Sequence, residues 1–532
     1  MAFVRIIVEQ IKSEISVPDE AIFASAKKRI KACGIFSDPR EFVINRRSID
    51  ARDRSNICFV SSVAALVEKK RAVQSEESLL KKFGIKYMSG WELDLSYNKT
   101  WQKERPVVVG FGPAGMFCAL ILAKCGLKPL VLERGGDVDS RVASVDRFYR
   151  ERSLDVNSNI QFGAGGAGTF SDGKLTTRIT DPRCSFVLKT LADMGAPSDI
   201  VFRAKPHVGT DILRTVVKNM AIEILRLGGE IRYHTRAVSF ENGRVMTAEG
   251  ESISYGALVL ALGHSARDTY EYLMTQGFSV APKPFSVGVR VEHLQKDMDE
   301  ALFGEFAGDP RLGHAEYAVS HRLGEKGVYS FCMCPGGEVM AAASEENTVV
   351  VNGMSRHARD GVNSNAAIAV SVDREDYGND PRKAIEFQRS LERAAFVAGG
   401  GRYVAPVQTL SDFYAGKATR EPKRISPSYM GGDCRVADLN TVLPKFVCDG
   451  LKCGFTAFGR RISGFDAPDV PITGVETRTS APLRILRGED YACLGHPDIY
   501  PCGEGAGYAG GITSAAVDGI AVALAILDKH LR

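Results

Sequence analysis

Val107-Val-Val-Gly-Phe-Gly-Pro-Ala-Gly115, followed by an apolar run from Met116 to Cys125 and then by Leu130-Val-Leu-Glu133-Arg134, decides the fold. Three apolar residues make a short buried strand, and Gly110-Phe-Gly112-Pro-Ala-Gly115 is a glycine-rich turn. The run after it reads as a helix ended by Gly126, and residues 129–132 as a second strand closing on Glu133. That order is the context a dinucleotide-binding turn needs. Gly110 permits the tight turn, Gly112 lets backbone approach a pyrophosphate, and Gly115 lets helix and strand pack closely. Pro113 and Ala114 open the helix, whose unpaired N–H groups and partial positive charge suit a diphosphate. Glu133 stands 18 residues beyond Gly115, at a strand end where a carboxylate can accept from ribose hydroxyls and disfavours a 2′-phosphate.

Two further turns share the glycine spacing. Gly163-Ala-Gly165-Gly-Ala-Gly168 follows no clear strand and runs into Thr169-Phe-Ser-Asp-Gly-Lys174, which does not start a helix. Gly505-Ala-Gly507-Tyr-Ala-Gly510 has a strand before it at residues 499–501 and a helix after it, from Thr513 to about His530. The chain then ends before a partner strand, so the first turn alone has the full unit.

Outward from that unit, residues 1–100 read as a small α+β domain of ferredoxin-like order, β-α-β-β-α-β. Its expected strands are 3–8, 41–49, 57–67 and 91–97, with helices after Pro18 and around 78–83. Arg46, Arg47, Arg52 and Arg54 cluster in its middle and suit a solvated loop better than a phosphate site. Residues 211–226 have helical apolar spacing, and 230–234 read as a strand. Runs at 238–240, 244–248 and 252–254 form a meander broken at Asn242-Gly243, before a buried strand at 257–262. Residues 267–471 lack helix–strand alternation and read as an inserted, mixed α+β substrate domain. Strands are expected there at 286–291 and 348–351, and a helix at 381–397. The fold class is therefore α/β, with a dinucleotide-binding domain built from 101–266 and 472–532.

The chain has 532 residues, enough for several domains and an enclosed cofactor. With 68 Lys and Arg against 64 Asp and Glu, its charge makes no case for nucleic acid or membrane as main partner. The start lacks a signal-peptide core, and the apolar stretch 512–527 carries Asp518 and falls short of a bilayer span of roughly 20 residues. Twelve cysteines without a paired framework point to a reducing cytoplasm.

The stretch from Val107 to Arg134 resembles the N-terminal fingerprint of two-dinucleotide-fold flavoproteins, the superfamily of glutathione reductase and p-hydroxybenzoate hydroxylase types. Val259-Leu-Ala261-Leu-Gly263-His resembles their second signature, and Asp498-Ile-Tyr-Pro-Cys-Gly503-Glu504 their closing one. Phe162 to Lys174, Gly263-His-Ser-Ala-Arg-Asp268, Phe331-Cys-Met-Cys-Pro-Gly-Gly337 and Gly503 to Gly511 together resemble a bacterial family of FAD-dependent dehydrogenases. The resemblance runs from about residue 100 to the end. It implies a Rossmann-like domain holding one FAD, with Arg134 beside Glu133 and a loop through Gly166, Thr169, Gly173 and Lys174 over the pyrophosphate and flavin. Gly511, Ile512 and Thr513 would face the flavin's N1–C2=O edge. Ala237 and Val238, after Arg236, would hold adenine.

The resemblance leaves the substrate open. Lys174 and Arg178 could stabilise negative charge near the ring or merely contact phosphate or solvent. His207 and His264 are proton-donor candidates or structural histidines. Cys332 and Cys334, with Cys334 as a candidate nucleophile, are either a thiol pair facing the flavin or strand filling. Cys448 and Cys453 have a disulfide-reductase spacing but lie far from the first turn. No grouping has metal-ligand spacing. The expectation is an FAD-dependent oxidoreductase moving a hydride to or from a small organic molecule, with NAD(P)H as a possible transient reductant. The alternatives are a flavin-dependent RNA-modifying enzyme and a non-catalytic flavin sensor or scaffold.

Overall fold

Alternating apolar residues in the first 90 positions build a sheet around one helix. In the computed structural model, which describes residues 3–71, 75–88, 92–97, 100–241 and 243–531, this sheet comprises β1 (Phe3–Glu14), β2 (Glu41–Asp50), β3 (Cys58–Glu68) and β4 (Ile85–Tyr87). Helix α1 (Asp19–Cys33) ends at Gly34, whose φ of 74° suits glycine, and α2 (Glu76–Lys82) leads directly into β4. The strands pair antiparallel in the order β2–β3–β1–β4. The last strand was expected at 91–97; Trp91 lies outside the described residues, and 92–97 form no strand. The apolar alternation there is real but has another use. Leu93, Leu95 and Tyr97 pack on the core of the next domain, while Leu80 and Ile85 fill this one.

The arginine cluster is split rather than gathered in a loop. Arg46 and Arg47 lie within β2, Arg47 pairs with Asp19, and Arg52 pairs with Asp50 at 2.6 Å. The backbone of Arg47 exchanges hydrogen bonds with Phe202 and Ala204 (both 2.8 Å), so β2 is also a seam to the rest of the chain.

The dinucleotide-binding sheet grows from β5 (Val107–Val109), the helix α3 (Pro113–Lys124) and β6 (Leu130–Leu132). Then come α4 (Val138–Glu151), α5 (Arg183–Asp193), α6 (Thr210–Arg226) and β7 (Glu230–Arg232). A meander of β8 (Ala237–Glu241), β9 (Arg244–Thr247) and β10 (Ser252–Ser254) crosses to β11 (Leu258–Leu260); Asn242 of its expected turn lies outside the described residues. The parallel order is strand Ile499–Pro501, β11, β5, β6, β7. β5, β6 and β11 are wholly buried, as strands covered on both faces must be. The closing helix Ile512–Leu531 packs on α3, with Gly519 against the Ala114 carbonyl.

A seven-stranded sheet lies between residues 285 and 476. Its order is Ser320–Leu323, Lys326–Cys334, Asn363–Val372, Phe285–Leu294, Pro471–Glu476, Ala405–Thr409 and Cys434–Val436. Helices Pro381–Ala398 and Lys445–Gly459 cover it. Two sequence boundaries move. The strand Pro471–Glu476, which a limit at 471 cuts off, belongs to this sheet, and the strand expected at 348–351 begins at Val351. Among the described residues no helix is long and apolar enough to cross a membrane.

A Cβ on Gly115 would sit 2.0 Å from the Gly110 carbonyl oxygen and 3.4 Å from Val108. We expect Gly115→Ala to lower unfolding stability by about 1–3 kcal/mol, read as a lower urea midpoint. An unchanged midpoint would remove the close strand–helix contact as a determinant of the fold.

Candidate functional site

The three chain segments with bare glycine backbone converge on one cavity of about 410 Å³, within the usual range for a small-molecule or cofactor site. The first turn contributes Gly110, Gly112, Pro113 and Ala114; Glu133 and Arg134 follow from the end of β6. The 161–174 loop adds Gln161, Gly166, Gly173 and Lys174, and the end of β11 adds Ala261, Gly263 and His264. Ala237 lies on the same wall, as do Glu504, Gly511 and Ile512 at the start of the closing helix. From the seven-stranded sheet come Phe331, Cys332 and Glu476, with Arg478 just past the strand Pro471–Glu476 and Asn352 on the strand Val351–Ser355 of a separate two-stranded sheet.

Glu133 lines the cavity, and its carboxylate has internal partners as well. Its buried carboxylate accepts N–H bonds from Phe111 (2.8 Å), Gly135 (2.9 Å) and Gly163 (3.0 Å). A carboxylate has about four lone-pair positions, so three internal bonds leave about one for a ribose hydroxyl. Its first work is to clamp the glycine loops together. Arg134 forks onto Asp268 (3.1 and 2.9 Å), bonds Asn157 (3.1 Å) and lies over the Phe162 ring at 4.1 Å.

A second clamp gave no sequence signal. Arg141, on the inward face of α4, is fully buried and donates to the carbonyls of Asn159 (2.9 Å), Ile160 (2.9 Å), Gly163 (3.3 Å) and Ala164 (2.7 Å). It sits on an amphipathic helix whose Asp137 cap accepts from Asp139 and Ser140. The loop that α4 holds is thus fixed from below by a cation and from the side by an anion.

Several expected site residues stand behind the wall. Gly115 is the packing contact described above. Thr169 donates to the Ala164 carbonyl (3.1 Å), and Thr513 donates to that of Leu175 (2.8 Å). Gly503 gives its N–H to Asp518 (2.7 Å), and Val238 points to solvent on the meander. His207 does not line the cavity: Nδ1 faces the Asp172 carbonyl (3.1 Å) and Nε2 that of His357 (3.0 Å), and a neutral ring, with one N–H, donates to one of the two. Burial and the Arg359 charge lower its pKa. His264 is on the wall, but burial and nearby Arg478 push it down to about 3, which leaves it neutral and a poor proton donor. Arg178 is exposed, away from the cavity. Cys334 is buried behind Cys332, and of these two it is Cys332 that lines the wall, as does Cys502 just past the strand Ile499–Pro501.

Lys174 is held at the wall by the Met333 carbonyl and by Glu316 at 3.5 Å. Glu316 also bonds Arg359 (2.6 Å), whose other arm reaches the fully buried Asp172 (2.9 Å). That alternating chain of charges fixes the loop after Thr169. Across the cavity, buried Arg267 and Arg478 share Glu392 at 2.8 and 3.0 Å.

The residues fit a dinucleotide. A Cβ added to Gly263, Gly510 or Gly511 would meet nothing within 4 Å, and one on Gly112 would meet only Gly166, at 3.7 Å. All four line the cavity, so bare backbone borders the space a pyrophosphate or ring would fill. Arg134 Nε and Gln161 Oε1, on two lining residues, are buried without a hydrogen-bond partner.

A family model described as "FAD-dependent protein, C-terminal domain-like" matches residues 284–479, the span of the seven-stranded sheet. An uncharacterized protein of Clostridium beijerinckii is 46% identical over 497 residues, covering 91% of this chain and 92% of that one. Two flavoprotein structures are also similar. A mutant of the halogenase PltM in complex with FAD is 11% identical, covers 81% of this chain and 69% of that one, and has a TM-score of 0.36. A flavoprotein/dehydrogenase from Cytophaga hutchinsonii is 12% identical, covers 80% of this chain and 79% of that one, and has a TM-score of 0.34. The chain belongs to the same family as the clostridial protein, its residues 284–479 match the FAD-dependent C-terminal domain, and its cofactor is FAD.

Glu133→Gln puts an amide N–H₂ against backbone N–H groups. We expect FAD to bind about 10-fold to 100-fold more weakly, measured by fluorescence titration of the apoprotein. Wild-type affinity in that variant would refute the clamp. A second expectation concerns pH. Burial pushes Glu504 up to about 7, and Glu476 likewise to about 7 against the opposing Arg290. Because both folded-state values exceed the ordinary 4.5, their favourable contribution is full below that value and is lost as pH rises through 7. The apoprotein's Tm should fall between pH 4.5 and 7, less steeply in Glu504→Gln; equal slopes would contradict it.

Proposed function

We propose that this protein is an FAD-dependent oxidoreductase of the dehydrogenase type, acting on a small organic molecule. The observation that carries it is the single cavity shared by three glycine-bordered segments and the ends of two inner strands of the seven-stranded sheet. When bound, FAD supplies a two-electron hydride acceptor or donor at flavin N5.

In this reading the first turn and the N-terminus of α3 bind the pyrophosphate through backbone N–H groups, since Gly112 caps that helix without a side chain. Glu133 and Arg134 border the ribose, and Ala237 borders the adenine. Glu504, Gly511 and Ile512 border the flavin end, where the start of the closing helix favours negative charge. Lys174 presents a fixed ammonium to the cavity. Phe331, Cys332, Asn352 and Glu476 form the substrate side, with Glu476 able to hold or release a proton near neutral pH. NAD(P)H enters the scheme as a transient reductant on this same wall. The pairing of Arg47 and Arg52 within the first domain speaks against RNA as substrate.

The test is anaerobic titration of the FAD-loaded protein with NADH, NADPH and a metabolite panel, following the visible flavin absorbance. Bleaching by at least one reductant is expected; no bleaching by any would overturn the oxidoreductase reading. Gly112→Val should cost at least about 100-fold in FAD affinity, because branched atoms would fill the gap to Gly166. Full flavin retention in that variant would overturn the pyrophosphate placement.

A further inference from the structure

Cys332 and Cys334 end the strand Lys326–Cys334, one residue apart. In a regular strand such residues share a face at about 6.6 Å along the chain. Here the pairing with Asn363–Val372 breaks register between Phe331 and Cys334, Cys332 adopts a φ of 46°, and the two Sγ atoms come to 3.9 Å. A left-handed backbone at a residue with a Cβ is held only where the surroundings fix it. The fixing groups are visible. Fully buried Arg290 donates to the Cys332 carbonyl at 2.6 Å, and Lys174 donates to that of Met333.

The two thiols differ in environment. Cys332 lines the cofactor cavity, while Cys334 is buried behind it with its Sγ 3.3 Å from the Cys332 carbonyl. The Cys334 S–H, with Arg290 and Lys174 nearby, holds the Cys332 thiol below its usual range against burial; the Cys334 thiol is raised. Burial pushes Cys502, the other cysteine lining the cavity, upward instead, as it does Cys118, Cys125, Cys434, Cys448 and Cys493. An accessible thiolate with a protonated neighbour in reach is the arrangement of an attacking and a resolving cysteine.

We propose that Cys332 and Cys334 form a thiol–disulfide exchange site opening on the cofactor cavity, with a small-molecule disulfide as co-substrate. The Cys332 thiolate attacks one sulfur of the incoming disulfide, the bond between its two sulfurs breaks, and the first thiolate leaves and takes up a proton. Cys334 then gives up its proton and attacks Cys332 Sγ, expelling the second thiol. Two protein thiols have become one disulfide, and the incoming disulfide has become two thiols. A dithiol in solution reverses both steps. The exchange itself requires no flavin, so it stands apart from the cofactor reading.

The probe is oxidised glutathione, applied to the full-length protein with and without FAD and followed by N-ethylmaleimide quenching and peptide mass mapping. The wild type should yield a Cys332–Cys334 linked peptide that dithiothreitol removes. Cys334→Ser should accumulate one glutathione on Cys332, and Cys332→Ser should leave Cys334 unmodified. In the reduced wild type, Cys332 should alkylate at least tenfold faster than Cys334. Two free thiols after treatment, or a stable glutathione adduct on Cys332 of the wild type, would overturn the proposal. The wild-type map decides by itself should a serine variant not fold. The Gly112→Val protein should still form the link, which separates failure of this site from failure of the flavin assignment.

Discussion

The structure depends on a buried carboxylate that joins three turns. Glu133 accepts N–H bonds from Phe111, Gly135 and Gly163, which belong to the first turn, the end of β6 and the loop beyond α4. A buried charge is tolerated only when hydrogen-bonded, and bonds to an ionised acceptor are about twice as strong as neutral ones. Arg141 answers from the other side by donating to four carbonyls of the same loop, including that of Gly163. One residue's N–H is held by an anion and its C=O by a cation. A glycine-rich loop with few side chains of its own becomes rigid by this means, leaving its backbone free to border a ligand.

Charge pairing also joins the seven-stranded sheet to the dinucleotide-binding fold. Arg267 and Arg478 meet on Glu392, and Asp172, Arg359 and Glu316 run in sequence to Lys174. Such buried ion groups add little net stability over apolar packing, but breaking one leaves an unpaired charge. Their effect is to fix where one layer sits on the other. The cavity wall formed by Lys174, Cys332 and Glu476 exists only because that placement is fixed.

Cys332 shows how one constraint can serve two ends. Arg290 and Lys174 hold an unfavourable backbone turn through carbonyl oxygens, and the same two cations lie close to the thiol. Fixing the bulge and stabilising a thiolate are one arrangement seen from the backbone and from the side chain. His207 shows the opposite outcome. Its ring lies between the carbonyls of Asp172 and His357, off the cavity, where it packs the 172–174 loop and meets no ligand space.

The sequence by itself determined the strand–turn–helix–strand unit, because glycine at 110, 112 and 115 and an acid at 133 are local requirements of close backbone approach. It also placed the closing helix and most strands of the first domain, whose patterning is local. It misplaced the strand at 91–97, since alternation at Leu93 and Leu95 says that a face is buried and not against what. It did not show that Glu133 clamps three backbone N–H groups, that the Thr169 and Thr513 hydroxyls bond carbonyls behind the wall, or that His207 stands off the cavity, since motif position does not report where a side chain's hydrogen bonds go. Arg141, Asp172 and Arg359 were silent because a buried charge is recognisable only by its partners, which lie 18 to 187 residues away. Tertiary structure alone decided which of two neighbouring cysteines reaches the cavity, through a register shift that no spacing rule contains.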